Sequence, residues 1–145
     1  MSSIICFWKY KYYLKDIANG VLYETPAFNS RQSRLHDATE IGETAYVVTY
    51  LDRHCYLVGR IIITEKYFNS PDYEYGEFGI SGNPEESQYY DCGLIDVTEI
   101  LRRLEFKTGR RIADSPRPLS MHLQTIRELT EYDVAQFESV ISRTR

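Results

Sequence analysis

The chain has 145 residues, 43% of them hydrophobic and 26% charged, which fits one globular domain, residues 1–145, around a single core. A net charge of −4 argues against a generic nucleic-acid coat, and the apolar run Ile4 to Trp8 is too short for a signal-peptide core or a membrane span. Cys6, Cys55 and Cys92 form no C-x-x-C pair, so the sequence predicts a reduced, cytoplasmic setting with neither a disulfide framework nor a metal.

Along the chain, Ile4 to Trp8 is β-branched and aromatic and reads as a first strand. In the "KYKYY" that follows, alternation sets Lys9 and Lys11 on one face and Tyr10 and Tyr12 on the other. Asn19-Gly20 signals a turn, and Thr25 to Arg34, which contains Pro26, reads as loop. Ala45 to Tyr50 is the second clear strand, and Asp52-Arg53-His54 connects it to a third, Cys55 to Lys66, as a hairpin. Residues 69–91 are rich in Gly, Pro and acids and read as a long loop holding one short strand, Phe78 to Ser81.

Three helices are expected to close the chain. Asp96-Val97-Thr98-Glu99 resembles a capping box ahead of Val97, Ile100, Leu101 and Leu104. Ser120 is a candidate cap for a second, with Leu123, Ile126 and Arg127 at helical spacing, and Thr130 opens a third with Val134, Phe137 and Ile141 as its buried stripe. The expected class is α+β, a small barrel or strongly curved sheet with a helical C-terminus.

Charge is unevenly distributed. Residues 1–36 hold five Lys/Arg against two acids, residues 65–101 one against nine, and residues 102–145 nine against six. The run Lys107 to Arg111 looks like a turn after a helix, and Arg110 and Arg111, with Lys9 and Lys11, are the candidate phosphate contacts. No nucleophile elbow, Cys/His signature, Walker loop or dinucleotide fingerprint is present, and His36, His54 and His122 are scattered, so no enzyme is expected.

A family resemblance begins at "SRLHDATEIGETAYVV", Ser33 to Val48. A loop ends in Ile41-Gly42-Glu43, an apolar strand follows, and its hairpin partner "YLVGRIIITEKYF" carries a central Val-Gly. This pattern resembles the PUA-like superfamily, specifically its EVE and YTH branches, over Ile4 to about Phe68. "IRELTEYDVAQFESVI" matches, more loosely, a helix that can close EVE-type domains. Glu43 stands where Asp is more usual, and the Gly-x-Lys-x-x-Glu-x-Arg signature of the ASCH branch is missing, which speaks against that branch's hydrolytic activity.

The resemblance implies a curved β-barrel flanked by helices that reads a modified base of DNA or RNA in an aromatic pocket, within a restriction or defence system and alongside a separate effector. Residue by residue it implies ring walls from Trp8, Tyr10 and Tyr12, base-edge or phosphate contacts from Ser33 and Arg34, and His36 at the rim. The polar run would then be a cover over the pocket; the plainer alternative tucks Leu35 and Ile41 into the core and leaves Arg34, His36 and Asp37 in water. Two further readings are an antitoxin or adaptor that docks a protein on the acidic, tyrosine-rich stretch Tyr67 to Tyr90, and a small nuclease or hydrolase built on scattered His and Glu residues.

Overall fold

In the computed structural model, which describes residues 2–144, the hairpin expected around Asp52 is the centre of the sheet. Seven strands are found among the described residues: β1 (Ile4–Phe7), β2 (Ala27–Ser30), β3 (Thr44–Leu51), β4 (His54–Phe68), β5 (Phe78–Gly82), β6 (Gln88–Tyr89) and β7 (Arg127–Glu128). Five α-helices accompany them: α1 (Tyr10–Ala18), α2 (Arg34–Asp37), α3 (Thr98–Arg103), α4 (Leu119–His122) and α5 (Glu131–Thr144). None of these helices is long and apolar enough to cross a membrane. The strand order is β2-β5-β4-β3-β1-β7, with β6 on the side of β4. β1 runs parallel to β3, and every other ladder is antiparallel.

The β3–β4 turn is two residues long, and Asp52 (φ 50°) and Arg53 (φ 68°) both take the left-handed conformation that matches strand twist. β4 is continuous over 15 residues because it bulges twice. Val58 is extra between the pairs Val48↔Leu57 and Val47↔Gly59, and Thr64 between Ile63↔Gly82 and Glu65↔Ser81. A bulge bends its strand and adds twist. The first half of β4 therefore serves β3 and the second half β5. The Val58 carbonyl instead accepts Tyr90 N–H at 2.9 Å.

Strand alternation divides the apolar residues into two cores. Ile5, Tyr46, Val48 and Leu57 face α3 and α5, while Ile4, Cys6, Ala45 and Val47 face α1 and α2. On the first side Phe137 of α5 stacks on Tyr46 at 4.5 Å and 11°. The Tyr46 hydroxyl donates to Glu138 at 2.6 Å, and the Arg60 fork grips the same carboxylate at 2.8 and 3.0 Å. Burial and that carboxylate raise the tyrosine's pKa, so it stays a donor.

Asp133, fully buried, fixes the start of α5. Its carboxylate accepts the backbone N–H groups of Glu105 (2.8 Å), Phe106 (2.9 Å) and Thr130 (3.0 Å), and its own N–H donates to Thr130 Oγ1 at 3.1 Å. The helix opens at Thr130 as the sequence predicts, and the reciprocal cap between Thr130 and Asp133 extends to hold the turn after α3. At α3, Asp96 accepts Thr98 N–H at 2.9 Å and its hydroxyl at 2.6 Å, while Val97, Ile100, Leu101 and Leu104 are buried as their spacing predicts.

Four expectations need correction. The sheet is open: no ladder joins β2 to β7 among the described residues, so it is not a barrel. "KYKYY" is helical, because Tyr10, Tyr13 and Ile17 recur at three- and four-residue spacing and pack on one side, overriding the short alternation. The 25–34 stretch contains β2, which Pro26 precedes, so the proline removes no ladder donor inside the strand. The second C-terminal helix ends at His122, and Arg127 lies on β7, paired with Ile5.

Replacing Asp133 by Ala leaves three N–H groups without their acceptor and is expected to cost about 3 kcal/mol. Urea unfolding followed by far-ultraviolet circular dichroism measures this, and a loss below about 1 kcal/mol would show that the carboxylate does not hold the turn.

Candidate functional site

The open seam between β2 and β7 is bridged by a side chain. Gln32 donates from its amide nitrogen to the Gln124 carbonyl at 2.9 Å, and its amide oxygen accepts Ile126 N–H at 2.9 Å. One glutamine thus supplies the donor and acceptor that a paired strand would supply. Beside it opens a cavity of about 420 Å³, within the usual range of about 300–1,000 Å³ for small-ligand pockets.

The cavity begins where β1 ends. Trp8 follows β1 directly, anchored by its N–H to the Val48 carbonyl at 2.9 Å, and its half-buried ring meets Tyr13 edge to face at 5.1 Å and Tyr89 at 6.0 Å. Tyr12 comes one helical turn later and meets the Tyr75 ring edge to face at 5.7 Å. Phe28 of β2 and Tyr73 complete the aromatic lining, with Phe7 and Val47 also contributing.

These rings are held by their polar tips. Tyr89 donates to the Ala27 carbonyl and accepts Ala27 N–H, both at 2.9 Å, which ties β6 to β2. Tyr75 donates to Asp16 at 3.2 Å, and partial desolvation together with that carboxylate pushes its pKa up to about 12. Behind the cavity, Tyr67 donates to Asn29 at 3.1 Å, and its ring lies so close over Gly79 that a Cβ there would sit 2.1 Å from it. Gly76 has φ +114°, and a Cβ there would fall 2.2 Å from the Ser30 carbonyl carbon, so the turn carrying Tyr73 and Tyr75 requires glycine.

The rim carries both signs. Lys9 and Arg31 line it with Asp16, Glu24 and Glu74, and Glu74 pairs with Lys15 at 3.6 Å. The acidic middle segment therefore reaches the mouth through Glu74, a residue whose charge Lys15 offsets.

The structure brings Trp8, Tyr12 and Lys9 of the expected site together around the cavity. Tyr10 packs behind it, stacked on Tyr13 at 6.1 Å, and Lys11 lies over the outer face of the Tyr12 ring at 4.9 Å. Ser33 and Arg34 line a separate shallow hollow with Asp37 and Glu128. His36 points into the sheet: Nε2 donates to the Gly79 carbonyl at 2.8 Å, and the ring sits against Phe68 and Phe78 at 5.0 and 5.2 Å. Of the polar run, Leu35 is fully buried while Ile41 is 59% exposed. Arg110 and Arg111 lie outside the cavity lining, and Arg110 meets Arg127 through its carbonyl at 3.3 Å.

Gln32, Phe28, Tyr75 and Tyr89 are site residues that sequence reasoning missed. Tyr75 and Tyr89 fall in the stretch singled out for tyrosine content, but nothing local shows that their hydroxyls reach Asp16 and Ala27. Of the aromatic residues in that stretch, Phe68 and Tyr73 are exposed and Tyr67, Tyr75, Phe78, Tyr89 and Tyr90 are half-buried, while its acids Asp72, Glu74, Glu85 and Glu86 are exposed. Among the described residues no group of three His, Cys, Asp or Glu side chains could hold a metal ion. The sequence matches no protein-family profile and no curated protein.

Gln32→Ala is expected to release the Ile126 amide, raising its hydrogen-exchange rate about tenfold while the Tyr46 amide stays protected. Unchanged protection at Ile126 would mean that the seam is closed by something other than Gln32.

Proposed function

We propose that this domain is a non-catalytic binding module that takes a modified base of DNA or RNA into the aromatic cavity at the end of β1. The observation that carries the reading is the position and lining of that cavity. It lies beside Trp8 and Tyr12, where the resemblance to PUA-like readers of the EVE and YTH type implies a pocket, and the rings of Trp8, Tyr12, Phe28, Tyr73, Tyr75 and Tyr89 line it inside a rim of mixed charge. An extruded base costs a few kcal/mol of unstacking, and stacking on aromatic side chains returns about 1–3 kcal/mol per base. The Gln32 amide and the backbone of β2 border the same space and supply groups that can tell one base edge from another. Lys9 and Arg31 at the rim suit the flanking phosphates. A domain that only binds hands its signal to a separate effector.

Fluorescence polarisation with short single- and double-stranded DNA and RNA, each with and without methylated bases, tests the reading. Modified probes should bind tighter than their unmodified counterparts. Tyr12→Ala and Trp8→Ala should each weaken that binding about tenfold or more, and Arg53→Ala, in the exposed β3–β4 turn, should leave it unchanged. Equal loss in all three variants, each folded by circular dichroism, or no preference for any modification, would overturn it.

A further inference from the structure

The free edge of β2 turns one main-chain donor and one acceptor toward the cavity, and the ladder register says which. β2 pairs with β5 through Ala27↔Ser81, Phe28↔Ile80, Asn29↔Gly79 and Ser30↔Phe78. In an antiparallel ladder, residues alternate between exchanging both bonds with their partner and turning both groups to the other side. Gly82 N–H donates to the Pro26 carbonyl at 2.9 Å, which sets the phase: Pro26, Phe28 and Ser30 turn toward β5. Ala27 and Asn29 therefore turn toward the seam. At Ala27 the Tyr89 hydroxyl takes up both groups, each at 2.9 Å.

At Asn29 no such partner is found among the described residues. Its side-chain Oδ1 accepts from Tyr67 and Asn69 at 3.1 and 2.9 Å, while its N–H and C=O, in the cavity lining, stay unpaired. Polar main-chain groups beside apolar rings are usually satisfied. One free pair is too little for a peptide strand, which needs successive pairs two residues apart. Ala27 is already taken by Tyr89. Past Ser30 the chain turns, with Gln32 N–H on Ser30 Oγ at 3.0 Å and the Gln32 amide across the seam. A flat heterocycle with an acceptor beside a donor needs only the one pair, and the rings of Trp8 and Tyr12 in the same cavity suit its faces.

We propose that the Asn29 N–H and C=O read the acceptor–donor edge of the bound base, so that the cavity takes bases whose modification leaves that edge intact. This rests on the base-binding reading above and narrows its substrate class. The N–H donates to the acceptor of the base, and the C=O accepts the hydrogen of its neighbouring N–H. 5-Methylcytosine and N6-methyladenine keep both groups. A base whose exocyclic amine carries two methyl groups has lost the donor and is excluded. The main chain does the reading, so specificity at this edge survives replacement of the Asn29 side chain.

The test uses the whole chain and single-stranded DNA probes containing 5-methylcytosine or N6-methyladenine. Each is compared with its unmodified sequence and with a counterpart whose exocyclic amine is fully methylated. A probe that binds tighter than its unmodified sequence should lose about tenfold on full methylation of the amine. Adding it to the native protein should slow hydrogen exchange at the Asn29 amide about tenfold, a readout that needs no variant. Asn29→Pro removes the N–H at an edge position open to proline, and Asn29→Ala loses the same side-chain bonds but keeps the N–H. The proline variant, folded by circular dichroism, should bind about tenfold more weakly than the alanine variant. Tight binding of a modified probe with Asn29 exchange unchanged, or with the fully methylated counterpart bound equally well, would overturn the edge reading and leave base binding standing. No preference for either modified probe over its unmodified sequence would overturn both.

Discussion

β4 is the constraint on which the rest of this molecule depends. Fifteen residues run without a break, yet no single neighbour pairs along their whole length. The extra residues Val58 and Thr64 let one strand change direction and partner, from β3 to β5, and the carbonyl released at Val58 recruits Tyr90 and with it β6. β5 in turn carries β2, so the strand that forms one wall of the cavity is placed through two bulges and two ladders. A straight β4 would leave β2 with no route to the cavity that opens at the end of β1.

The open edge and the cavity are two aspects of one arrangement. β7 has two residues and β2 four, too little to meet across the gap. Gln32 supplies two hydrogen bonds in place of a ladder, and aromatic rings fill the rest of the space. Exposed sheet edges invite pairing with other chains, and covering them with side chains removes that risk. Here the cover leaves a hollow, and its rings are oriented by hydroxyls bound to Asp16 and Ala27.

What could be read from the sequence followed from local chemistry. The hairpin at Asp52, the buried stripe of α3 and the Thr130 cap of α5 are each decided by neighbours within a few residues, and each stands where its pattern places it. β2 and the ending of α4 were illegible because their conformation is set by partners far along the chain: Ala27–Ser30 is extended by pairing with β5, and Arg127 is drawn onto β1. Trp8 and Tyr12, named as ring walls through the family resemblance, come to line the cavity because both follow closely on the end of β1. Ser33, Arg34 and His36 separate from them because Leu35 inserts into the core and turns its neighbours outward or toward Gly79.

β1 has a further consequence, one of time. It sits between β3, whose residues follow some forty positions later, and β7, and Ser2 bonds to Glu128 across 126 positions. Its parallel pairing needs a long crossover, and its other edge waits for a strand near the opposite end of the described chain. Contacts this distant are expensive in loop closure and slow to find, so folding should be limited by the seating of β1 rather than by the local β3–β4 hairpin. Until then an apolar strand, Ile4 to Phe7, has at most one of its two edges paired, and that interval is when the chain is most exposed to self-association.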